Sequence, residues 1–120
     1  IAGIMEKYIP GDYDFDVPKK LVQLYNTKDY SIYKDKTGDV PVNFTATNHT
    51  TGGNSGSPTL DAYGNLIGLN FDRQWEGTMS DIYFDSRFSR NIMVDTKYIL
   101  FIIDKYADAK WLINEMKVVK

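Results

Sequence analysis

Residues 50–58 read TTGGNSGSP, and the fold and function of the whole chain depend on what this stretch does. Glycine and serine are common in turns, so one interpretation is an ordinary surface loop. The other is a turn whose glycines aim backbone N–H groups at one point, with a serine nucleophile beside it. In that case Ser55 is the nucleophile, and the amides of Gly53 and Ser55 form the oxyanion hole that stabilises the reaction's negative charge. Taken alone, the stretch supports both interpretations.

The residues that follow the turn predict a β-hairpin. Positions 57–72 read SPTLDAYGNLIGLNFD, which is two β-type runs joined at residues 61–65, with a glycine available for a left-handed torsion. Further strands are predicted through Val42, Phe44 and Ala46, and through Ile92 and Val94, because apolar residues alternate there. The glycine-rich turn therefore leads directly into a β-rich region.

Helices are predicted towards both ends of the chain, each starting at an aspartate that can act as an N-cap. The proposed caps are Asp16, Asp95 and Asp108. The apolar positions of the three helices are, in order, Val17, Leu21, Leu24 and Tyr25; Tyr98, Ile99, Ile102, Ile103 and Tyr106; and Trp111, Leu112 and Met116. The expected fold class is mainly β with flanking helices.

Composition excludes several functional classes. A chain of 120 residues fits one domain, and a formal charge of −2 with a pI near 5.3 gives no electrostatic basis for binding nucleic acid or an anionic membrane. Without cysteine, disulfides and thiolate metal sites are excluded. The longest apolar run, at residues 98–103, is too short to span a membrane.

Longer motifs carry a family resemblance. GNSGSP at residues 53–58 resembles the nucleophile motif of chymotrypsin-like serine peptidases. KYIPGDYDFDVPKKL, GLNFDRQWEGTMSD, RNIMVD and KYILFIIDKYA are similar to segments of the bacterial dipeptidyl-peptidases of serine peptidase family 46. The resemblance covers nearly the whole chain, and it favours a catalytic serine over an ordinary loop.

The resemblance implies a fold and a place within a longer enzyme. The chain is expected to form part of the second β-barrel of a chymotrypsin-like double-barrel peptidase. Residues 1–120 would be the C-terminal part of a catalytic domain, with the first barrel and an inserted helical domain outside this sequence. The catalytic His and Asp would also lie outside it, so the chain alone is expected to be inactive. His49, the only histidine, is interpreted as a loop or interface residue.

The same resemblance assigns the site residues. Ser55 is the nucleophile, Gly53 helps to form the oxyanion hole, and Asn70 lies on the strand that pairs with the substrate backbone. Asp72 would bind the free N-terminal ammonium of the substrate. Arg73 would bind an Asp or Glu side chain before the cleaved bond, which indicates the acidic-specific subgroup, dipeptidyl-peptidase 11. A guanidinium suits that task because its planar fork matches a carboxylate.

Arg73 and Asp72 also have simpler interpretations that involve no substrate. A strand-end arginine such as Arg73 is usually a solvated charge. An aspartate such as Asp72 at the end of a hairpin commonly bonds its own backbone. Both interpretations remain open at the level of the sequence.

The family also implies partners and a location. The parent enzyme is expected to be a serine dipeptidyl-peptidase that uses no metal or cofactor and acts on peptides with a free N-terminus. The expected partners of this chain are those peptides and the rest of the parent catalytic domain. No nucleic-acid partner and no membrane span are expected. The parent enzyme is expected to be a homodimer. The expected location is the periplasm or cell surface, or the exterior, of a Gram-negative bacterium.

Two alternatives stay in view. A glutamyl endopeptidase shares the TTGGNSGSP style of motif, but such enzymes typically place a glutamate-binding histidine where this chain has Asn70. The other alternative is a catalytically inert, partner-binding fragment with an exposed apolar face that includes Tyr98 and Phe101.

Overall fold

The computed structural model describes residues 1–119, which form two compact units. One unit contains Ile1–Pro41 together with residues 97–119, and the other is the continuous segment Val42–Thr96. The helices predicted at both ends of the sequence belong to the first unit, and the strands belong to the second.

The second unit is built on a four-stranded antiparallel sheet. Its strands are β1 (Asn43–Ala46), β2 (Pro58–Leu60), β3 (Leu66–Arg73) and β4 (Asn91–Asp95). Their order in the sheet is β1-β4-β3-β2, so β3 and β4 are central and β1 and β2 are the edges. The hairpin and the two further strands expected from the sequence are confirmed, although Val42 lies just before the start of β1.

The β2–β3 turn forms because one side chain organises it. The Asp61 Oδ1 atom accepts hydrogen bonds from the backbone N–H groups of Tyr63 (2.8 Å) and Asn65 (2.9 Å). Gly64 has φ of 82°, a left-handed torsion that glycine adopts without steric cost. The Asn65 side-chain amide donates a further hydrogen bond to Asp61 Oδ2 at 2.9 Å, and this bond, together with the backbone ones, lowers the pKa of Asp61.

Strands β3 and β4 approach closely and then change register. A Cβ atom at Gly68 would lie 2.8 Å from the Val94 carbonyl oxygen, so this position requires glycine. Asn70 pairs with Met93 but Asp72 pairs with the neighbouring residue on β4, which leaves a bulge at Phe71. Bulges redirect the side chains that follow them. This bulge therefore sets the direction of the last residues of β3.

The first unit is helical. Its elements are α1 (Ala2–Glu6), α2 (Lys19–Thr27), a 3₁₀ helix (Ser31–Tyr33), α3 (Thr96–Phe101), a π-helical turn (Ile102–Tyr106) and α4 (Lys110–Asn114). Its core contains Phe101, which is fully buried and surrounded by the rings of Tyr30, Tyr33 and Tyr98 at 6.1–6.4 Å between centroids. The Tyr33 hydroxyl donates a 2.7 Å hydrogen bond to buried Asp104.

Three sequence-based expectations about the helical unit are corrected. Pro18 is the N-cap of α2, and Asp16 instead accepts a hydrogen bond from the next backbone N–H. Ala109 is the N-cap of α4, while Asp108 has a positive φ of 53° and pairs with Lys20. Phe101 is buried by the chain itself, so it does not belong to an exposed apolar face.

The fold is therefore mixed α/β rather than mainly β, because helical residues outnumber strand residues in the described chain. No helix within residues 1–119 is long and apolar enough to cross a membrane. The same residues contain no cluster of His, Cys, Asp and Glu side chains that could hold a metal ion.

Candidate active site

The loop that carries Ser55 is tied together by short-range hydrogen bonds. The Asn54 Oδ1 atom accepts the backbone N–H of Thr51 at 2.8 Å, and the Asn54 carbonyl oxygen accepts the N–H of Ser57 at 3.1 Å. Gly53 has φ of 92° and Gly56 has φ of 84°, so the chain reverses on both sides of Ser55 through torsions that favour glycine. The result is a tight turn with Ser55 exposed on it.

The polar groups at Ser55 have no hydrogen-bond partner within the described part of the chain. Among residues 1–119, no acceptor bonds the backbone N–H of Gly53 or of Ser55, and the Ser55 hydroxyl has no hydrogen-bond partner. Free amides on a glycine-rich turn are what an oxyanion hole needs, because they must be available to a developing negative charge.

Asn70 anchors this loop to β3. Its backbone carbonyl accepts the N–H of Gly56 (2.7 Å), and its backbone N–H donates to the Ser57 carbonyl (2.9 Å). Its buried side chain donates to the Asn54 carbonyl at 3.2 Å and accepts from the Asn91 amide at 3.0 Å. The Asn70 backbone groups are thus already bonded, so β3 is unpaired on its β2 side only beyond this residue.

One cavity of about 140 Å³ brings most of the predicted site residues together. Ser55, Asn70, Asp72 and Arg73 all line it, while Gly53 lies outside its lining. The complete lining is Thr50, Thr51, Gly52, Ser55, Asn70, Phe71, Asp72 and Arg73. The residues that carry a hydroxyl, a carboxylate and a guanidinium therefore border one space between the serine turn and the end of β3.

Arg73 is held by an acidic partner that the sequence did not indicate. Asp81 ends a 3₁₀ helix at Trp75–Asp81, and its two carboxylate oxygens accept hydrogen bonds from Nη1 and Nη2 of Arg73 at 2.7 Å each. Arg73 Nη1 also lies 3.3 Å from the hydroxyl of buried Ser80. The hydrogen bond from Arg73 lowers the pKa of Asp81, and the same bond raises the pKa of Arg73.

Asp72 has one oxygen engaged and one free. Its Oδ1 atom accepts the backbone N–H of Arg73 at 2.8 Å, which is the local bond expected of an aspartate at the end of a hairpin. Its Oδ2 atom has no partner within the described part of the chain. The side chain is exposed, so this oxygen is available to a ligand.

His49 points to a different group. Its Nε2 atom donates to the Ser80 carbonyl at 3.0 Å, and its ring packs 4.9 Å from that of Phe84. His49 does not line the cavity that contains Ser55. This arrangement agrees with its interpretation as a loop residue rather than a catalytic base.

Comparison with known proteins identifies the family. The family described as Peptidase S46 matches residues 1–118, so the chain belongs to the peptidase S46 family. It is 69% identical over 119 residues to a protein named Asp/Glu-specific dipeptidyl-peptidase from Flavobacterium psychrophilum, covering 99% of this chain and 16% of that protein. It is 64% identical to a protein of the same name from Capnocytophaga gingivalis, covering 100% of this chain and 17% of that protein.

A solved structure has the same fold. It is a crystal structure of Porphyromonas endodontalis DPP11 in complex with the dipeptide Arg-Asp, with a TM-score of 0.94 and 50% sequence identity. The match covers 98% of this chain and 17% of that one. The chain thus spans about one sixth of the length of the curated relatives that it matches.

Proposed function

We propose that this chain is the nucleophile-bearing part of a serine dipeptidyl-peptidase that cuts after Asp or Glu. The parent enzyme would release dipeptides from peptides with a free N-terminus. The observation that carries the proposal is the cavity in which Ser55, Asp72 and Arg73 meet. Its three groups match the three requirements of the reaction, which are a nucleophile, an anion for the substrate ammonium and a cation for the acidic side chain.

Catalysis would begin at Ser55. Its Oγ attacks the carbonyl carbon of the second peptide unit, and a base from outside this chain takes the hydroxyl proton. The carbonyl oxygen becomes an oxyanion, which the amides of Gly53 and Ser55 would stabilise. The free state of both amides within residues 1–119 supports this role.

The two charged residues would fix the substrate. The free Oδ2 of Asp72 suits an ammonium group, and dipeptide release requires the enzyme to recognise the substrate N-terminus close to the cut. The Nε–H of Arg73 donates to no group in the described chain, so Nε and Nη2 together offer a second fork for a substrate carboxylate. The name of the two relatives, Asp/Glu-specific dipeptidyl-peptidase, supports this specificity.

We also propose that the sheet is part of the second barrel of a chymotrypsin-like double barrel, in the C-terminal part of the catalytic domain. The edge strands β1 and β2 each lack one neighbour among the described residues, and Leu60, Leu66 and Ile67 are exposed apolar side chains in the sheet. Both features suit a sheet that further strands would extend and cover. The first barrel, the inserted helical domain, a homodimeric parent and a periplasmic, cell-surface or extracellular location rest on the family resemblance.

The glutamyl endopeptidase alternative gains nothing from the structure. At the position where those enzymes place a glutamate-binding histidine, Asn70 is 6% exposed and its side chain is bonded to Asn54 and Asn91. It is a loop anchor here rather than a ligand for a substrate carboxylate.

Two serines on one loop provide the test of the nucleophile. In the full-length enzyme, Ser55→Ala should lower kcat by a factor on the order of a million. Ser57→Ala, two residues along the same loop, should keep kcat within about tenfold of the wild-type value. The reason is that the reaction uses one nucleophilic hydroxyl, that of Ser55, and backbone amides stabilise the oxyanion. Dipeptide release is measured by mass spectrometry. Equal losses in both variants would contradict the assignment of Ser55.

The requirement for a free N-terminus is tested with matched peptides. A charge-assisted bond from the substrate ammonium to Asp72 is worth about 1.5–3 kcal/mol. Acetylated peptides should therefore be cut about ten- to a hundred-fold more slowly than free ones. Asp72→Asn should narrow that difference. Equal cleavage of both peptide forms by the wild-type enzyme would instead indicate an endopeptidase.

A further inference from the structure

We propose that Asp81 is a positioning residue for substrate specificity: it holds the Arg73 guanidinium from outside the cavity and so aims the free side of that guanidinium at the substrate. This inference rests on the proposed role of Arg73 in binding an acidic substrate side chain. It goes further by assigning a second residue, on a different element, to the same selectivity.

The contact between Arg73 and Asp81 is bidentate. Both terminal nitrogens of Arg73 bond to separate oxygens of Asp81 at 2.7 Å. Two parallel bonds fix the plane of a guanidinium as well as its position, which a single bond does not. The Ser80 hydroxyl adds a third contact to Nη1 at 3.3 Å, and Ser80 is 5% exposed, so the side chain of Arg73 is held against a buried group.

Of the two charged residues, Arg73 and Asp81, only Arg73 lines the cavity. It shares the cavity with Ser55. The Arg73 side chain is 24% exposed and that of Asp81 is 48% exposed. Asp81 thus bonds the guanidinium without lining the cavity, while Nη1 also lies 3.5 Å from the carbonyl oxygen of Thr50, a lining residue. The Nε–H has no protein acceptor in residues 1–119, so it remains available to a ligand.

Preorganisation is the physical reason why this matters. A free arginine side chain has many rotamers, and ordering it when the substrate binds costs free energy. A guanidinium that is already fixed forms its bonds to an incoming carboxylate without that cost. The 3₁₀ helix that carries Asp81 is itself held at its start by the N–H of Gly77 on the Gln74 carbonyl.

A purely electrostatic role for Asp81 predicts the opposite result. The negative charge of Asp81 repels a substrate carboxylate, so its removal would strengthen the binding of acidic substrates if charge alone mattered. Positioning predicts that removal weakens it. The sign of the change therefore distinguishes the two roles.

The experiment uses the full-length enzyme and two reporter peptides that differ only in Glu or Leu before the cut. The measured quantity is the ratio of kcat/KM for Glu to that for Leu. Asp81→Ala should lower this ratio by about two- to tenfold, which is the cost of ordering one such side chain on binding, and leave the Leu rate nearly unchanged. Asp81→Asn, which keeps the shape and one acceptor, should lower it less. A ratio that stays the same or rises in Asp81→Ala overturns the proposal.

Two further variants make the result specific. Asp85→Ala breaks a comparable aspartate–arginine pair, with Arg87 at 2.6 Å, that does not line the cavity, and it should leave the ratio unchanged. In an Arg73→Ala background, Asp81→Ala should cause no additional loss, because Asp81 acts through Arg73. An additional loss would show that Asp81 acts by another route and would refute the proposal.

The wild-type ratio separates this inference from the proposed function. A wild-type enzyme that prefers Leu contradicts the proposed function itself. A wild-type enzyme that prefers Glu, combined with an unchanged ratio in Asp81→Ala, leaves the proposed function intact and rejects only the role of Asp81.

Discussion

Replacing Asn70 by alanine should loosen the loop that carries Ser55 and leave the rest of the sheet in place. The substitution removes the donor to the Asn54 carbonyl and the acceptor of the Asn91 amide. Asn91 is 2% exposed and its Oδ1 already has no partner among the described residues, so its whole side-chain amide would then be unbonded and buried. Such a group costs about 1–3 kcal/mol.

This cost can be measured as hydrogen exchange at the loop in the full-length enzyme. About 1–3 kcal/mol corresponds to roughly five- to a hundred-fold in an opening equilibrium, because 1.36 kcal/mol is tenfold. The backbone N–H groups of Gly56 and Ser57 bond to Asn70 and Asn54, so their exchange should accelerate by that factor in Asn70→Ala. A fall in kcat should accompany the faster exchange, since a displaced nucleophile reacts slowly.

The control is an asparagine on the same strand pair but away from the loop. Asn65 donates to Asp61 at 2.9 Å in the hairpin turn, and Asn65→Ala should leave exchange at Gly56 and Ser57 unchanged. If hydrogen exchange at these two amides and the value of kcat are the same in Asn70→Ala as in the wild type, Asn70 does not anchor the loop.

Two further predictions concern the fold. Gly68→Ala should lower the free energy of unfolding by about 1–3 kcal/mol, because its Cβ would lie 2.8 Å from the Val94 carbonyl oxygen. Gly3→Ala, with open space around it in helix α1, should not destabilise and should add up to about 1 kcal/mol in thermal denaturation. Burial and the hydrogen bond to Asp104 raise the pKa of Tyr33 to about 12. A pKa that is higher in the folded than in the unfolded state stabilises the fold at pH values below the unfolded-state pKa. The free energy of unfolding should therefore fall between about pH 10 and 12. In urea titrations, Tyr33→Phe should remove this part of the alkaline loss of stability.

The features that sequence predicts well are local. The β2–β3 hairpin follows from Asp61, Gly64 and Asn65, which lie within one turn and satisfy one another directly. The alternation that predicts β1 and β4 is equally local. Helix caps were predicted less well, because Asp16 and Asp108 bond to other groups than the helix ends.

The features that sequence missed depend on tertiary contacts. The pairing of Arg73 with Asp81 requires the 3₁₀ helix between them, and no periodic pattern in residues 75–81 predicts that helix. The anchoring role of Asn70 depends on Asn91, which reaches it only because β3 and β4 are neighbours. The sequence around a charged or amide side chain does not indicate which residue it will bond to. A regular spacing of apolar residues, in contrast, indicates which face of a helix or strand will be buried.

The clearest test of the central claim, that Arg73 selects acidic substrates, is kcat/KM of the full-length enzyme on paired peptides with Glu or Leu before the cut. The wild-type enzyme should prefer Glu. Arg73→Gly should lower the Glu to Leu ratio by about ten- to a hundred-fold, the value of a charge-assisted bond, and Arg73→Lys should restore only part of it. A wild-type preference for Leu, or an unchanged ratio in Arg73→Gly, would show that Arg73 is only a surface charge.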